Sequence, residues 1–403
     1  MEPTEFKEMQ AKALEQLRNG RSLTGKDGVF APLLKEFIET ALDAEMSSYL
    51  NESERNRGNK RNGRKSKKVK TFEGEFDILT PQDRLSSFEP QLIRKRESVL
   101  ADNLAPQIIT LYGLGNSLRD ISNHIKKMYD VDVSHSTLSE ITDRVIPLVK
   151  EWQNRTLDAF YPFVWLDAMH FKVKHEGRVV NRAVYNVLAI NSKGYKELIG
   201  VYISESEGAK FWLGVLTDLK ARGVEDILIS CIDNLNGFAE AINSVFPNSE
   251  VQLCVLHQVR NSLGYVIHKD KPEFTRDLKK IYRAVNRAQA EVELDYLEEK
   301  WVKKYPMVIK SWRLNWENLA TYFQYDTHIR RTIYTTNPVE GYHRQIRKVT
   351  KTKGPFPNDM ALLKLIYLAT ENISEKWTQP VHNWALTVQQ LSILFGDRMR
   401  INI

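Results

Sequence analysis

Between residues 163 and 257 the chain sets out an order of elements that few folds can accommodate. Phe163–Val173 (FVWLDAMHFKV), Arg178–Asn191 (RVVNRAVYNVLAIN) and Lys196–Ser204 (KELIGVYIS) are three successive β-rich runs. The intervals at His175-Glu-Gly and Ser192-Lys-Gly have room only for turns, so the three runs predict an antiparallel meander. The pattern then alternates. A helix over Ala209–Arg222 closes at Gly223, an apolar β-branched strand covers Asp226–Asp233 (DILISCID), a helix covers Gly237–Phe246, and a further strand covers Glu250–His257. A β-β-β-α-β-α-β order demands a mixed sheet, because the first three strands turn back on one another while the later ones return through helices.

That order is the one used by the ribonuclease H-like fold, an α/β architecture with helices on the faces of a mixed sheet. Within it, Asp167 interrupts an apolar strand between Val164-Trp-Leu and Ala168-Met. Strands avoid Asp, and an uncompensated buried carboxylate costs several kcal/mol, so something must neutralise it. Asp233 ends a buried strand at the carboxyl edge, where open α/β sheets gather ligands; Asn234 and Gly237 follow, so a plain helix N-cap competes as an explanation. Glu340 is the third helical position after Asn337 and Pro338, which a capping box explains without any chemistry. The functional alternative uses the same helix, with Arg344 and Arg347 on the face of Glu340 as a phosphate-binding ladder. If the three carboxylates meet, charges about 4 Å apart repel by roughly 4 kcal/mol at an effective dielectric of about 20, and cations must offset this. Two Mg²⁺ or Mn²⁺ ions about 4 Å apart suit oxygen donors and an in-line displacement at a phosphodiester.

Charge points to the same class of substrate. The formal net charge is +7, yet Arg55–Lys70 (RNRGNKRNGRKSKKVK) alone holds nine Lys or Arg and no acid, so the excess is this one segment. Its glycines and asparagines leave no apolar face, which predicts a flexible arm or extended loop that attracts polyanions; a solvated linker without a partner is the alternative. A second acid-free basic stretch, Gly341–Asn358, follows Glu340 directly.

The N-terminal part reads as helical. Leu33, Leu34, Phe37, Ile38 and Leu42 fall on one 3.6-period stripe, and Val69–Leu79 alternates about Gly74 like a short hairpin. From Leu104 to Trp152, capped starts at Ser117 and at Ser134 or Ser136 predict a helix-turn-helix whose second helix presents His135, Thr137, Ser139 and Arg144; an ordinary three-helix packing module has the same pattern. Residues from about Gln258 to Tyr334 read as an all-α insertion anchored by Trp301, Trp312, Trp316, Tyr322 and Phe323. The longest stretch without a charged residue, Trp377–Gly396, contains Pro380, His382 and Asn383 and cannot span a bilayer. Two cysteines, Cys231 and Cys254, exclude a disulfide framework, and the first residues lack a secretory signal, so a cytoplasmic protein is expected. Cys254 and His257 form a C-x-x-H pair without two further ligands for zinc, which leaves His257 to hydrogen-bond near the carboxylates or a phosphate and Cys254 to pack.

These residues resemble the bacterial Mutator-family transposases, relatives of the Mutator-like enzymes with an Asp-Asp-Glu site. The resemblance spans nearly the whole length through Lys60-Arg-Asn-Gly63, Pro81-Gln-Asp-Arg84, Ser87-Phe-Glu-Pro-Gln91, Leu166-Asp-Ala168, Arg222-Gly223, Ala241-Ile242, Val245-Phe-Pro247 and Val251-Gln252. It continues through Cys254, His257, Arg260-Asn261, Tyr334-Thr-Thr-Asn337 with Glu340, and Phe356-Pro357. Asn234 and Gln82 stand where that family usually has Gly and Arg. The resemblance implies that Asp167, Asp233 and Glu340 are catalytic and metal-binding, that Cys254 and His257 support the site, and that double-stranded DNA is the partner, at terminal inverted repeats and at a target. It also implies a homodimer, since two ends must be joined. DNA contacts are assigned to Arg55, Arg57, Lys60, Arg61, Arg64, Lys65, Lys67, Lys68 and Lys70, with Arg144, Arg260, Arg344, Arg347 and Lys348. The implied organisation is a helical segment (1–50), a basic arm and β-ribbon (51–98), a helix-turn-helix region (99–157), a first core part (158–257), the insertion (258–330), a second core part bearing Glu340 (331–375) and a C-terminal helix (376–403). The rival expectations are a DNA-binding regulator derived from a transposase and a nuclease acting on RNA–DNA hybrids.

Overall fold

Ile38, Leu42 and Met46 recur every fourth residue along one helix, and this line decides how the first part of the chain packs. The computed structural model describes residues 3–20, 23, 28–51, 57–71, 74–95, 101–129, 131–205, 208–330, 332–333 and 338–399. It divides into two units, Met1–Val145 and Ile146–Ile403.

In the first unit, α1 (Pro3–Arg18) and α2 (Phe30–Tyr49) precede a hairpin of β1 (Arg61–Thr71) and β2 (Gly74–Asp83). Ile38 and Leu42 of α2 pack with Val69, Ile78 and Ile93. Phe37 does not join the expected stripe: it is 66% exposed, about 100° around the helix from that line. The basic segment is not the flexible arm or loop that its composition suggests. Arg61–Lys70 are in β1, antiparallel to β2, and Arg55 lies outside the described residues. Two features of the fold make it a strand. Gly63, at φ +79°, supplies the irregular step between Arg61 and Arg64. Acids of α2 and β2 then meet the bases, Arg61 and Arg64 pairing with Asp43, and Lys68 and Lys70 with Glu75.

Three helices complete this unit: α3 (Ala101–Gly113), α4 (Leu118–Tyr129) and α5 (His135–Asp143). Ser117 and Asp120 exchange cap bonds, Asp120 N–H donating to Ser117 Oγ at 3.1 Å and Ser117 N–H to Asp120 Oδ2 at 3.2 Å. Ser134 caps α5 by accepting from Thr137 N–H at 3.2 Å. Leu138 and Ile141 face the core, His135 and Arg144 are exposed, and Thr137 and Ser139 are half-buried.

The second unit opens with α6 (Ile146–Asn154) and the meander β3 (Phe160–His175), β4 (Arg178–Ile190) and β5 (Lys196–Ser204). After α7 (Ala209–Ala221) come β6 (Asp226–Ile232), α8 (Phe238–Val245) and β7 (Glu250–Leu253). The strands make one mixed sheet in the order β5-β4-β3-β6-β7, with β3 antiparallel to β4 and parallel to β6. The stretch Phe160–Leu166, flanked on both sides, is buried throughout, whereas beyond Asp167 exposed residues appear at His170, Lys172 and Lys174. One expected strand is shorter than its pattern: Glu250–His257 ends at Leu253. Cys254 N–H donates to Ile232 O at 2.7 Å and Cys254 then begins α9 (Val255–Tyr265), which puts His257 in a helical first turn.

The helices that follow are α10 (Lys271–Tyr282), α11 (Arg287–Trp301), α12 (Pro306–Leu314), α13 (Trp316–Ala320) and α14 (Thr327–Arg330). All five aromatic anchors expected there are buried. Gln252 Nε2 donates to Leu319 O at 3.1 Å and Thr321 Oγ1 to Val251 O at 2.9 Å, which ties this segment to β7. The chain closes with α15 (Pro338–Thr350), α16 (Asp359–Ser374) and α17 (Trp384–Phe395). Among the described residues no helix is long and apolar enough to cross a membrane.

Candidate active site

Strand register brings two of the three carboxylates together. Leu166 pairs with Ile232, so the residues that follow, Asp167 on β3 and Asp233 past the end of β6, stand on neighbouring parallel strands about 5 Å apart. Each is held by a local amide: Ala168 N–H donates to Asp167 Oδ1 at 2.8 Å, and Leu235 N–H to Asp233 Oδ1 at 3.3 Å. Asp233 is not the N-cap of α8, a place taken by Gly237 at φ +79°.

Both acids line a cavity of about 20 Å³ with Trp165, Gln252, Cys254 and His257. Among the described residues, Trp165 Nε1, Gln252 Oε1 and His257 Nδ1 are buried without a hydrogen-bond partner. Buried polar atoms are rarely left in that state, and the volume suits one water-sized or ion-sized guest. Two carboxylates and an amide oxygen are the donors that a hard divalent cation takes. Burial pushes the Cys254 thiol up to about 11, with Asp167 and Glu340 adding to the effect, and burial raises the Cys231 thiol as well.

Glu340 stands apart from this pair. Its neighbour Val339 lines the cavity, but the Glu340 carboxylate accepts from Arg260 Nη1 at 2.6 Å. That bond raises the Arg260 pKa, and Asp167 acts on it in the same direction. Among the described residues, no three His, Cys, Asp or Glu side chains are grouped closely enough to hold a metal. Glu340 occupies the third position of α15 as expected, while Tyr334–Asn337, including the expected cap, lie outside the described residues. Burial lowers the His257 pKa, with Arg260 contributing in the same direction and Asp233 opposing it.

Two further residues at this site escaped the sequence reading. His343 is 4% exposed, within the buried stripe Val339, Tyr342, His343 and Ile346 that α15 turns toward the sheet. Its Nε2 lies 3.1 Å from Asn186 Nδ2, and Asn186 is the cross-strand partner of Asp167. The same Asn186 nitrogen donates to Val184 O at 3.2 Å, which fixes it as a donor and His343 Nε2 as an acceptor. Burial, reinforced by Arg347 and His257, pushes the imidazole down to about 3, so the ring is neutral and its proton is on Nδ1. That N–H faces Asp167 Oδ2 at 3.7 Å. The available signal was spacing, since His343 is three residues from Glu340 on one helix.

The expected DNA-contacting residues fall into three groups. Arg57, Lys60, Lys65 and Lys67 extend along the N-terminal hairpin region with the paired Arg61, Arg64, Lys68 and Lys70. Arg144 follows α5. Arg344, Arg347 and Lys348 are exposed on α15, one to two turns beyond Glu340, and Arg260 is engaged by Glu340.

The family model described as "Transposase, Mutator family" matches residues 5–380. A probable transposase for an ISRM3-like insertion sequence element of Sinorhizobium fredii is 39% identical over 97% of this chain and 99% of its own length. The transposase for insertion sequence element ISRM3 of Rhizobium meliloti has the same identity and coverage. The transposase for insertion sequence element IS905 of Lactococcus lactis is 30% identical over 88% of this chain and 92% of its own.

Proposed function

The chain belongs to the Mutator family of transposases, and from that membership and the site geometry we propose that Asp167, Asp233 and Glu340 are the catalytic carboxylates of a ribonuclease H-like core. The observation that supports this most is the register of β3 on β6, which sets two acids side by side at a sheet edge over a cavity rimmed by orphaned polar atoms. The β5-β4-β3-β6-β7 order supports the fold assignment.

The substrate is DNA at the terminal inverted repeats of the element, and the reaction cuts one strand and joins the freed 3′-hydroxyl to a second phosphodiester. Asp167, Asp233 and Glu340 would hold divalent cations, Mg²⁺ or Mn²⁺, which would activate the attacking oxygen and neutralise charge on the leaving one. Gln252 Oε1 adds a neutral oxygen donor. Backbone amides of Ala168 and Leu235 hold the Oδ1 atom of each Asp in place. His343 orients Asp167 from behind, its own ring fixed by Asn186. Glu340 leaves Arg260 to complete the site, and Arg344, Arg347 and Lys348 hold the substrate backbone. The hairpin of β1 and β2 and the helices α3 to α5 bind the repeats, and two copies act together.

A strand-transfer assay with end-containing oligonucleotides and Mg²⁺ tests the assignment. Wild type yields joined products and Asp233→Asn yields none, while both melt within a few degrees of each other. Joined products from Asp233→Asn at the wild-type rate would refute it, and hydrolysis of any duplex or hybrid alike would point to a plain nuclease.

A further inference from the structure

We propose that a basic groove beyond the carboxylates holds the sugar–phosphate backbone of the DNA strand that continues from the scissile bond, a subsite that rests on the catalytic reading given above.

β3 outruns its partner on one side. Its last pairing with β6 is Leu166 with Ile232, and the remaining residues, Asp167–His175, leave that edge of the sheet. The edge is met again at Val173 by a parallel bridge to Phe356, with Phe356 N–H donating to Lys172 O and Lys174 N–H to Phe356 O, both at 2.8 Å. Between these points, β3, the C-terminal end of α15 and the segment 351–356 enclose a hollow of about 680 Å³. Lys172, Arg347, Lys351 and Lys353 contribute to its lining, and no Asp or Glu does. Lys172, Arg347 and Lys351 are exposed.

A solvated charged face would explain such residues if acids neutralised them, as Asp43 and Glu75 do for β1. Here no acid lines the hollow to play that part. The nearest acid downstream, Asp359, is engaged by Arg182 at 3.1 Å, and Arg182 is the cross-strand partner of Phe171. The groove is also built before any ligand arrives, because the Phe356 bridge and an edge-to-face contact of Phe356 with Phe171 at 6.2 Å pin the 351–356 segment to β3. A cluster of cations on a preformed surface suits the phosphates of a backbone.

Two elements lead from the carboxylates to the groove and give its distance. From Asp167 to Lys172 is about 16 Å of strand, and from Glu340 to Arg347 and Lys351 about 10 to 16 Å of helix. At 3.4 Å of axis per nucleotide, the groove meets phosphates roughly three to five nucleotides from the reacting bond.

The test uses the full chain, end-containing duplexes carrying methylphosphonate triplets scanned over about ten nucleotides on each side of the scissile bond, and fluorescence anisotropy. Neutral linkages roughly three to five nucleotides from the bond on one side weaken wild-type binding about tenfold. Lys172→Gln/Lys351→Gln weakens binding of the unmodified duplex by a similar factor, adds at most about twofold on the modified one, and lowers the slope of log affinity against log salt by about 2. Lys172→Arg/Lys351→Arg behaves as wild type. Wild-type indifference to those linkages, or a variant that loses as much again as wild type does, overturns the groove. Because affinity is read, the outcome is separable from the catalytic assignment. Normal cleavage by Asp167→Asn defeats that assignment alone, and absent coupling with an inactive Asp167→Asn defeats the groove alone.

Discussion

Replacing His343 separates two roles that its ring performs at once. The Nε2 atom accepts from Asn186 and the Nδ1 proton faces Asp167, so each can be removed by itself. His343→Leu keeps the volume and deletes both; the Asn186 amide retains its bond to Val184 O, which limits the cost to roughly 1 to 2 kcal/mol. His343→Ala adds a cavity in a buried stripe and costs about 2 to 5 kcal/mol. The orienting effect on Asp167 is worth about 10- to 100-fold in rate, a span typical of residues that hold a ligating carboxylate. Asn at this position places an amide near the Nδ1 site, and Gln places one near the Nε2 site. His343→Asn is therefore expected to keep more single-turnover cleavage, and His343→Gln more thermal stability. Equal losses of rate in both, or wild-type cleavage by a folded His343→Leu, would show that the ring only fills space.

Four other outcomes follow from particular contacts. Asp83 is buried, which raises its pKa, yet bonds from Asn59, Ser87 and the Phe88 amide outweigh this and hold the carboxyl at about 2. The stability it contributes is present above pH 4 and lost as pH falls toward 2, so Asp83→Asn costs roughly 2 kcal/mol at neutral pH and flattens the acid limb of a denaturation profile. Gly194 has φ +88°, and a Cβ there would lie 2.6 Å from the Trp384 ring; Gly194→Ala should destabilise the second unit by about 2 to 3 kcal/mol in chemical denaturation. Lys60→Ala/Lys65→Ala, two exposed bases, should reduce the salt slope of terminal-repeat binding by about 2, measured by filter binding across ionic strengths. Ser134→Ala removes the cap of α5 and should cost about 1 kcal/mol in thermal unfolding.

The core sheet was legible because its information is local. DILISCI is short and rich in β-branched residues, which suits a buried strand, and the short turns at 175–177 and 192–194 suit a meander. Asp167 and Asp233 were legible for the complementary reason that a carboxylate among apolar neighbours breaks the pattern. What stayed hidden depends on contacts across long separations. Nothing near Arg61 in sequence announces Asp43, so the basic segment looked like a loop when it is a paired strand. His343 looked like one more polar residue of a basic helix until the stripe of α15 was set against β4 and met Asn186. His257 was drawn into a strand because Val251, Leu253, Cys254 and Val255 are apolar, whereas the amide of Cys254 ends the sheet by turning to Ile232.

On the proposed reading, in which the three acids converge on cations, the Arg260–Glu340 pair opposes that convergence only weakly. Both side chains are partly solvated, Arg260 at 59% exposure and Glu340 at 31%, so releasing Glu340 costs only about 1 kcal/mol despite the 2.6 Å contact. By comparison, bringing a third carboxylate beside Asp167 and Asp233 without cations costs roughly 4 kcal/mol for each close pair. Convergence is thus governed by cation binding rather than by the ion pair, and Arg260 acts as a weak competitor for Glu340. Arg260→Gln removes both the competing partner and a positive charge near the site, so apparent Mn²⁺ affinity, read by calorimetry without DNA, should rise about fivefold. Asp233→Asn should abolish that binding. Unchanged or weaker Mn²⁺ binding in Arg260→Gln would mean that Glu340 never exchanges arginine for metal, and the third carboxylate would have to be sought elsewhere.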